Sequence, residues 1–147
     1  MAVKFGYAPV KGKQKRLTKN ISVRVDGVEI DKALAQINVD LRDRVAKKAL
    51  RKAAGVVRTE MRRLAPRDTG ELRNSIKAAV RDYGHLTLAF VGPADVDKRQ
   101  ASKNNTLEYG SDSRGIRPMG FVRGAADNTK DQLEGVIIKA IQDEIGK

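Results

Sequence analysis

Apolar residues recur at helical spacing over residues 41–64 and predict the longest helix of the chain. Its apolar face consists of Val45, Ala49, Ala53, Val56 and Leu64. Asp40 is in the position of an N-cap, and Asp43 follows three residues later, as in a capping box. A second amphipathic helix is predicted over residues 126–145, where apolar side chains repeat every three or four positions.

Two short alternating segments between these helices predict strands. Residues 77–81 and 86–91 are expected to pair antiparallel through a turn that contains a glycine. Leu86, Leu88 and Phe90 share one face of the second strand, because side chains alternate along a strand. We expect this face to cover the apolar side of the long helix.

The remaining segments predict smaller elements. Residues 21–30 alternate around a turn at Asp26 and Gly27 and predict a small hairpin. Residues 31–37 predict a short helical turn. Residues 92–105 are polar and show no periodicity, so we expect a loop there.

Positive charge changes this picture, because the formal net charge is +12 over 147 residues. Residues 1–25 contain no acidic residue, and Gly6, Pro9 and Gly12 interrupt any periodicity. We therefore predict a basic extended arm at residues 1–20 and a single domain at residues 21–147. The arm is either a solubility tail or a segment that reaches a neighbour or nucleic acid. Its basic candidates for such contacts are Lys11, Lys13, Lys15 and Arg16.

The long helix also carries a basic stripe opposite its apolar face. The stripe consists of Arg44, Lys48, Arg51, Arg58 and Arg62. It is either a solvated face or a surface that faces a lumen or DNA. The last helix is acidic instead, so the two helices either pair within one chain or complement each other between subunits.

Composition narrows the possible functions. The chain has no cysteine, which excludes disulfides and thiolate metal sites, and we expect no cofactor. Aromatic residues make up only 4%, so the core is expected to be aliphatic. The first ten residues hold no apolar signal region, and no run of eighteen apolar residues occurs, so no membrane partner is expected.

Residues that end one secondary-structure element and begin the next are concentrated at residues 65–76, which have the sequence A-P-R-D-T-G-E-L-R-N-S-I. Pro66 ends the long helix, Asp68 or Thr69 can accept hydrogen bonds from the next amides, and Gly70 relaxes the backbone. A strand is expected to begin within a dozen residues. A well-formed connection between a helix and a strand would explain this pattern without any function.

Two later segments have the sequences L-E-Y-G-S at residues 107–111 and F-V-R-G-A at residues 121–125. The chain resembles the neck or tail-completion proteins of lambdoid long-tailed bacteriophages, a tail-component family. The resemblance lies in the order of elements and motifs, which is a helix, A-P-x-D-T-G-x-L-R-x-S, two strands, L-E-Y-G-[ST], F-[LVM]-R-x-A and a helix. The resemblance covers roughly residues 30–145. It marks a structural motif made of Pro66, Asp68, Thr69, Gly70, Leu72, Arg73 and Ser75.

The chain departs from the family pattern around Phe121. The family usually carries P-F-L-R-P-A there, whereas Gly120 and Gly124 stand in place of the two prolines. Two glycines loosen this segment in the unfolded chain and permit a positive φ.

The resemblance implies an α+β fold, in which a long helix and a C-terminal helix pack on a small, mostly antiparallel sheet. It implies a structural virion protein, assembled in the host cytoplasm, that forms a ring at the neck or proximal end of the tail and joins the tail to the head connector. The implied partners are copies of the chain, most simply six, other neck proteins, the head connector, and the tail tube or tail terminator. Weak, non-specific contact with viral double-stranded DNA is also expected. The expected subunit contacts are Glu108, Tyr109, Gly110, Phe121 and Arg123.

Two other classes of function were weighed. An enzyme has little support, because His85 is the only histidine and no metalloprotease, phosphate-loop or nucleophile-elbow motif occurs. Glu108 with Tyr109, or Asp68 with Thr69, could form a pair of acid and nucleophile. The family resemblance instead implies a structural role for both motifs. The alternative is a small basic nucleic-acid-binding protein, although the chain lacks stacking aromatics in a strand motif and a helix-turn-helix.

Overall fold

A computed structural model describes residues 2–7, 21–26, 39–67, 70–83, 87–94 and 96–146 of the chain. The elements are β1 (Ala2–Tyr7), β2 (Ile21–Asp26), α1 (Val39–Leu64), α2 (Glu71–Ser75), β3 (Ile76–Asp82), β4 (Thr87–Pro93), α3 (Lys98–Tyr109) and α4 (Phe121–Ile145). A 3-10 turn at Asp112–Arg114 lies between α3 and α4. Two long helices packed on an antiparallel sheet confirm the predicted α+β class.

The helices α1 and α4 form an antiparallel pair around most of the core. Lys48 binds Glu144 at one end, and Leu64 approaches Gly124 at the other. The buried residues that this pair supplies are Val45, Ala49, Ala53, Ala54, Val57, Met61, Phe121, Ala125, Leu133, Ile137, Ala140 and Ile141. The long helix is therefore confirmed, and burying its apolar stripe against α4 and the sheet supplies most of its stability.

The start of α1 differs from the prediction. The helix begins at Val39, so Asp40 lies within the first turn and does not take the predicted cap position. An acidic residue is still favourable there, because the amino terminus of a helix carries a partial positive charge.

The sheet has four strands in the order β1-β2-β4-β3, and all neighbours are antiparallel. The predicted pairing of β3 with β4 is confirmed, but the predicted core face is wrong for Leu88 and Phe90, while Leu86 lies outside the described residues. Ala89 and Val91 enter the core under the helix pair, opposite Val80 and Ala78 of β3. Phe90 is buried on the other face, where its ring lies 5.7 Å from the Arg81 guanidinium carbon, and Leu88 shares that face.

Only the first strand of the hairpin predicted at residues 21–30 lies in the described part of the chain. The strand at Ile21–Asp26 forms, but its hydrogen-bonded neighbours are β1 and β4. Residues 2–7, assigned to the arm, make the edge strand β1, consistent with the alternation of Val3, Phe5 and Tyr7 in the sequence. Residues 8–20 and 27–38 lie outside the described residues, as do the basic candidates Lys11, Lys13, Lys15 and Arg16 and the predicted helical turn.

Two further segments are helical where the sequence indicated none. Residues 71–75 form the short helix α2, which starts after Gly70 in a left-handed conformation with φ of 80°. The predicted loop at residues 92–105 instead contains the end of β4 and much of α3. Asp97 caps α3, because its carboxylate accepts a hydrogen bond of 2.7 Å from the Gln100 amide.

Candidate functional site

The first motif, residues 65–76, holds the carboxyl end of α1 through Arg73. The Arg73 guanidinium donates from Nε to the Ala65 carbonyl at 3.1 Å and from Nη2 to the Arg63 carbonyl at 3.3 Å. The last carbonyls of a helix lack partners within the helix, and the negative end of its dipole attracts a cation. Arg73 therefore acts as a cap that reaches α1 from α2.

Arg62 of α1 and further residues of this motif connect α1 and α2 to the sheet. Arg62 donates from Nη2 and Nε to the Ile76 carbonyl, at 2.8 and 3.2 Å. The Ser75 hydroxyl donates to the Leu72 carbonyl at 2.8 Å, and the Ser75 carbonyl accepts from the Ala94 amide at 2.8 Å. Leu72 packs against the core. Asp68 and Thr69 lie outside the described residues.

The second motif, residues 107–111, ends α3 and places Glu108 at the start of α4. Its carboxylate accepts hydrogen bonds from the Val122 amide at 2.8 Å and the Arg123 amide at 3.1 Å, and the residue is only 8% exposed. Gly120, the residue before α4, has no side chain that could cap these amides. Glu108 supplies the missing cap, and its negative charge matches the positive end of the α4 dipole.

Gly110 follows directly and makes a turn that other residues cannot. Its φ is 77° and its ψ is −176°, a conformation essentially limited to glycine. A Cβ at this position would lie 2.7 Å from the Ile116 carbonyl oxygen and 2.9 Å from the Pro118 nitrogen. The glycine of the second motif is therefore required by both its conformation and the close approach of the backbone.

The connection from α3 to α4, which we name the 110–120 loop, is ordered by backbone hydrogen bonds. The Met119 amide donates to the Leu107 carbonyl at 2.8 Å, and Ser111 and Ile116 exchange two bonds of 2.8 and 3.0 Å. The loop nevertheless exposes large apolar side chains. Met119 is 52% exposed, Ile116 is 37% exposed, and Tyr109 beside them is 50% exposed.

The two motifs meet at one end of the helix pair, which we name the motif end. A cleft of about 90 Å³ lies between α2 and α3 there, lined by residues that include Pro66, Leu72 and Ser75 of the first motif and Leu107 of the second. Within the described part of the chain, no three His, Asp or Glu side chains come together in a way that could hold a metal ion. None of the helices in that part is long and apolar enough to cross a membrane.

The structure separates the residues that the sequence grouped as subunit contacts. Phe121 is 2% exposed and belongs to the core, and Glu108 is occupied by the amides of α4. Tyr109 and Arg123 are exposed, and Gly110 is partly buried. The sequence analysis did not single out Met119 and Ile116, whose exposure depends on how the 110–120 loop folds.

The basic stripe of α1 is partly used inside the chain. Lys48 pairs with Glu144 at 2.6 Å, and its neighbour Lys52 pairs with Asp143 at 3.2 Å. Arg62 binds the Ile76 carbonyl, while the buried Nε of Arg58 has no hydrogen-bond partner among the described residues. Arg44 and Arg51 are exposed. The complementary charges of α1 and α4 therefore meet within one chain at the end opposite the motifs.

Glu60 joins the two long helices about one turn from the motif end. It accepts bonds of 2.7 and 2.8 Å from the Arg63 guanidinium and a bond of 2.8 Å from Asn128 of α4. The hydrogen bonds from Arg63 and then from Asn128 lower the pKa of Glu60 to about 2.

These features define a class of protein: a small α+β structural domain in which the motif charges cap helices and an ordered loop is displayed on the surface. The chain matches the HK97-gp10-like family, described as "Bacteriophage HK97-gp10, putative tail-component", over residues 28–111. This match spans more than half of the chain, and the protein belongs to that family. It is a structural tail component of a bacteriophage, and its place is in the virion. Searches of curated proteins and of solved structures gave no match.

Proposed function

We propose that the protein forms a ring at the neck or proximal end of the tail and joins the tail to the head connector. The support is its membership of the tail-component family together with the 110–120 loop. The backbone of this loop is fixed, while Met119 and Ile116 are exposed. Apolar side chains held in an ordered exposed loop are typical of a surface that contacts another protein.

The partners in this proposal are further copies of the chain, most simply six, and the adjoining virion proteins. These adjoining proteins are other neck proteins, the head connector, and the tail tube or tail terminator. A tail component has to present different faces to its own copies and to the layers above and below. Symmetric rings meet this need, because each copy uses the same pair of surfaces to contact its neighbours.

The test is the size and shape of the purified full chain. Light scattering after gel filtration should give the mass of a closed oligomer, and negative-stain microscopy should show rings of one diameter. A chain that stays monomeric at micromolar concentration, alone and with the purified connector, would contradict the proposal. A ring with a number of subunits other than six would correct the proposed stoichiometry alone.

A second candidate function, contact with nucleic acid, is favoured by Arg44 and Arg51 on α1. Both are exposed, and no ion pair joins them to a described acid. Binding to viral DNA should be weak and without sequence preference, because phosphate contacts carry no base information. Replacing Arg44 and Arg51 with glutamine should reduce the salt dependence of DNA binding. Each lost phosphate contact should make the slope of log affinity against log salt concentration shallower by about 0.9. An unchanged slope would remove these residues from a DNA-facing surface.

A further inference from the structure

The 110–120 loop carries positive charge beside its exposed apolar residues. Arg114 and Arg117 belong to the loop, and Arg123 follows in the first turn of α4. All three side chains are exposed, and none forms an ion pair with a described residue. The loop thus combines two exposed apolar side chains, Met119 and Ile116, with two arginines and one exposed acid, Asp112, and Arg123 of α4 adds a third cation beside it. A partner that fits it needs acidic groups next to a small or apolar area.

The outward face of α4 offers such a surface. At 3.6 residues per turn, Asp127, Asp131, Gly135 and Ile138 lie within about 80° of one another around α4. The first three are exposed and Ile138 is half-buried, and Asn128, which donates to Glu60 of α1, borders this face. Asp127 and Asp131 are exposed and form no ion pair with a described residue. The acids that α4 uses within the chain, such as Asp143, lie near its other end.

Gly135 adds an observation that the single chain does not explain. Glycine in the middle of a helix is unfavourable relative to alanine. A Cβ at Gly135 would have no atom within 4 Å, so nothing in the described structure requires a glycine there. A missing side chain on an exposed helix face leaves room for another protein to come close to the backbone.

We propose that the 110–120 loop of one copy docks on the outward face of α4 in the next copy. Arg114 and Arg117 lie against Asp127 and Asp131, and Met119 lies over Gly135 and Ile138. This inference rests on the proposed ring and names its interface. The contact is heterologous, because the loop and the helix face are different surfaces, and such contacts generate rings when the rotation closes.

Charge reversal on each side gives a decisive test. One variant carries Arg114→Glu and Arg117→Glu, and the other carries Asp127→Lys and Asp131→Lys. Each alone places like charges across every interface, so each should remain monomeric where the wild type assembles. A mixture of the two should assemble again, because alternation restores opposite charges at every contact. A ring in which the two variants alternate can close only with an even number of subunits. Light scattering measures the mass of the ring and therefore this number.

Matched controls keep the outcome clear. Lys98→Glu with Arg99→Glu reverses two exposed charges on α3, away from the loop, and should assemble as the wild type does. Circular dichroism should show that all variants are folded, since every replaced side chain is exposed. Met119→Ser, which changes no charge, should weaken assembly by about tenfold or more in dissociation constant, as expected for an apolar anchor.

The possible failures are distinguishable. A wild-type chain that remains monomeric overturns both the ring and this interface. A wild-type ring whose two charge variants still assemble overturns the interface alone, and so does a mixture that stays monomeric. If the loop variant assembles normally but loses affinity for double-stranded DNA, the arginines face nucleic acid and the proposed contact is wrong.

Discussion

The two ends of the helix pair are held together by different kinds of contact. At the motif end, Glu108 and Arg73 reach from neighbouring short helices and bind backbone groups that the long helices leave unpaired. At the opposite end, Lys48 with Glu144 and Lys52 with Asp143 form ion pairs between side chains in contact with solvent. At the motif end, charged side chains thus form hydrogen bonds with backbone groups at the helix termini. At the opposite end, charged side chains pair with one another at the surface.

This difference indicates where the sequence is constrained. Removing the charge or one acceptor oxygen from a buried carboxylate that accepts two amides leaves polar groups unpaired. An exposed ion pair is weakened by water and salt and by the entropy of two long side chains. We therefore expect substitutions to have large effects at the motif end and small effects at the opposite end.

The largest effect is expected for Gly110→Ala. The new Cβ would contact the Ile116 carbonyl at 2.7 Å, and the backbone conformation is unfavourable for any other residue. We expect a loss of about 2 to 3 kcal/mol in the free energy of unfolding, measured by urea denaturation. Gly55→Ala is the matched control, because nothing lies within 4 Å of its Cβ position in α1. It should be stabilising by about 0.5 to 1 kcal/mol, and equal effects at the two glycines would contradict the assignment.

Glu108→Gln should have the next largest effect. The amide keeps the shape of the side chain but loses the charge and one of the two acceptor oxygens that bind the α4 amides. The expected loss is about 1.5 to 3 kcal/mol of unfolding free energy. Asp131→Asn, an exposed acid on the same helix, should change stability by less than about 0.5 kcal/mol. If the two substitutions gave the same stability, Glu108 would not be a significant cap.

At the opposite end, replacing Lys48 and Lys52 together with methionine should lower stability by less than about 1 kcal/mol. The lysine side chains are 45% and 51% exposed, so solvent screens both pairs. Thermal unfolding at low and high salt measures this effect, and the difference from the wild type should shrink as salt rises. A loss as large as that of Glu108→Gln would remove the distinction between the two ends.

The smallest effect concerns acid stability and Glu60, which lies about one turn from the motif end. Its pKa is about 2 in the folded protein against an ordinary value of 4.5, so folding favours the charged form. The stabilisation is complete above the ordinary pKa and is lost as the pH falls through 4.5 toward about 2. Glu60→Gln should therefore flatten the acid side of the stability curve in urea denaturation. An unchanged acid slope would show that Arg63 and Asn128 do not hold the carboxylate in solution.

The sequence predicted the parts of the fold in which apolar and polar residues contrast along one element. The periodicity of Val45, Ala49 and Ala53 defined α1, and the alternation before Thr87 defined β3. The face of β4 could not be read in this way, because Leu88, Ala89, Phe90 and Val91 are all apolar. The register with β3 decides which face of β4 enters the core. Lys77 and Arg81 of β3 point away from the core, and their partners in β4, Gly92 and Leu88, lie on the same face as they do.

The helix α3 was missed for a related reason. Its sequence is polar and only Asn104 and Glu108 are buried, so it presents no apolar stripe. The pair Asp97 and Gln100, spaced three residues apart, resembles a capping box and was the signal available.

The candidate site was only partly predictable. The two motifs were recognised by their residues and order, but the role of Glu108 depends on amides fourteen and fifteen residues later in the chain. No local pattern reports such a contact, because it exists only once α3 and α4 are packed. For the same reason Phe121, grouped with the subunit contacts, proves to be a core residue.

The capping of α4 by Glu108 also sets an order of events during synthesis. A growing chain emerges with α3 and the 110–120 loop ahead of α4. Until Val122 and Arg123 have left the ribosome and become helical, Glu108 has no amides to bind. The side-chain cap that joins the end of α3 to the start of α4 therefore forms only after α4 has begun to fold.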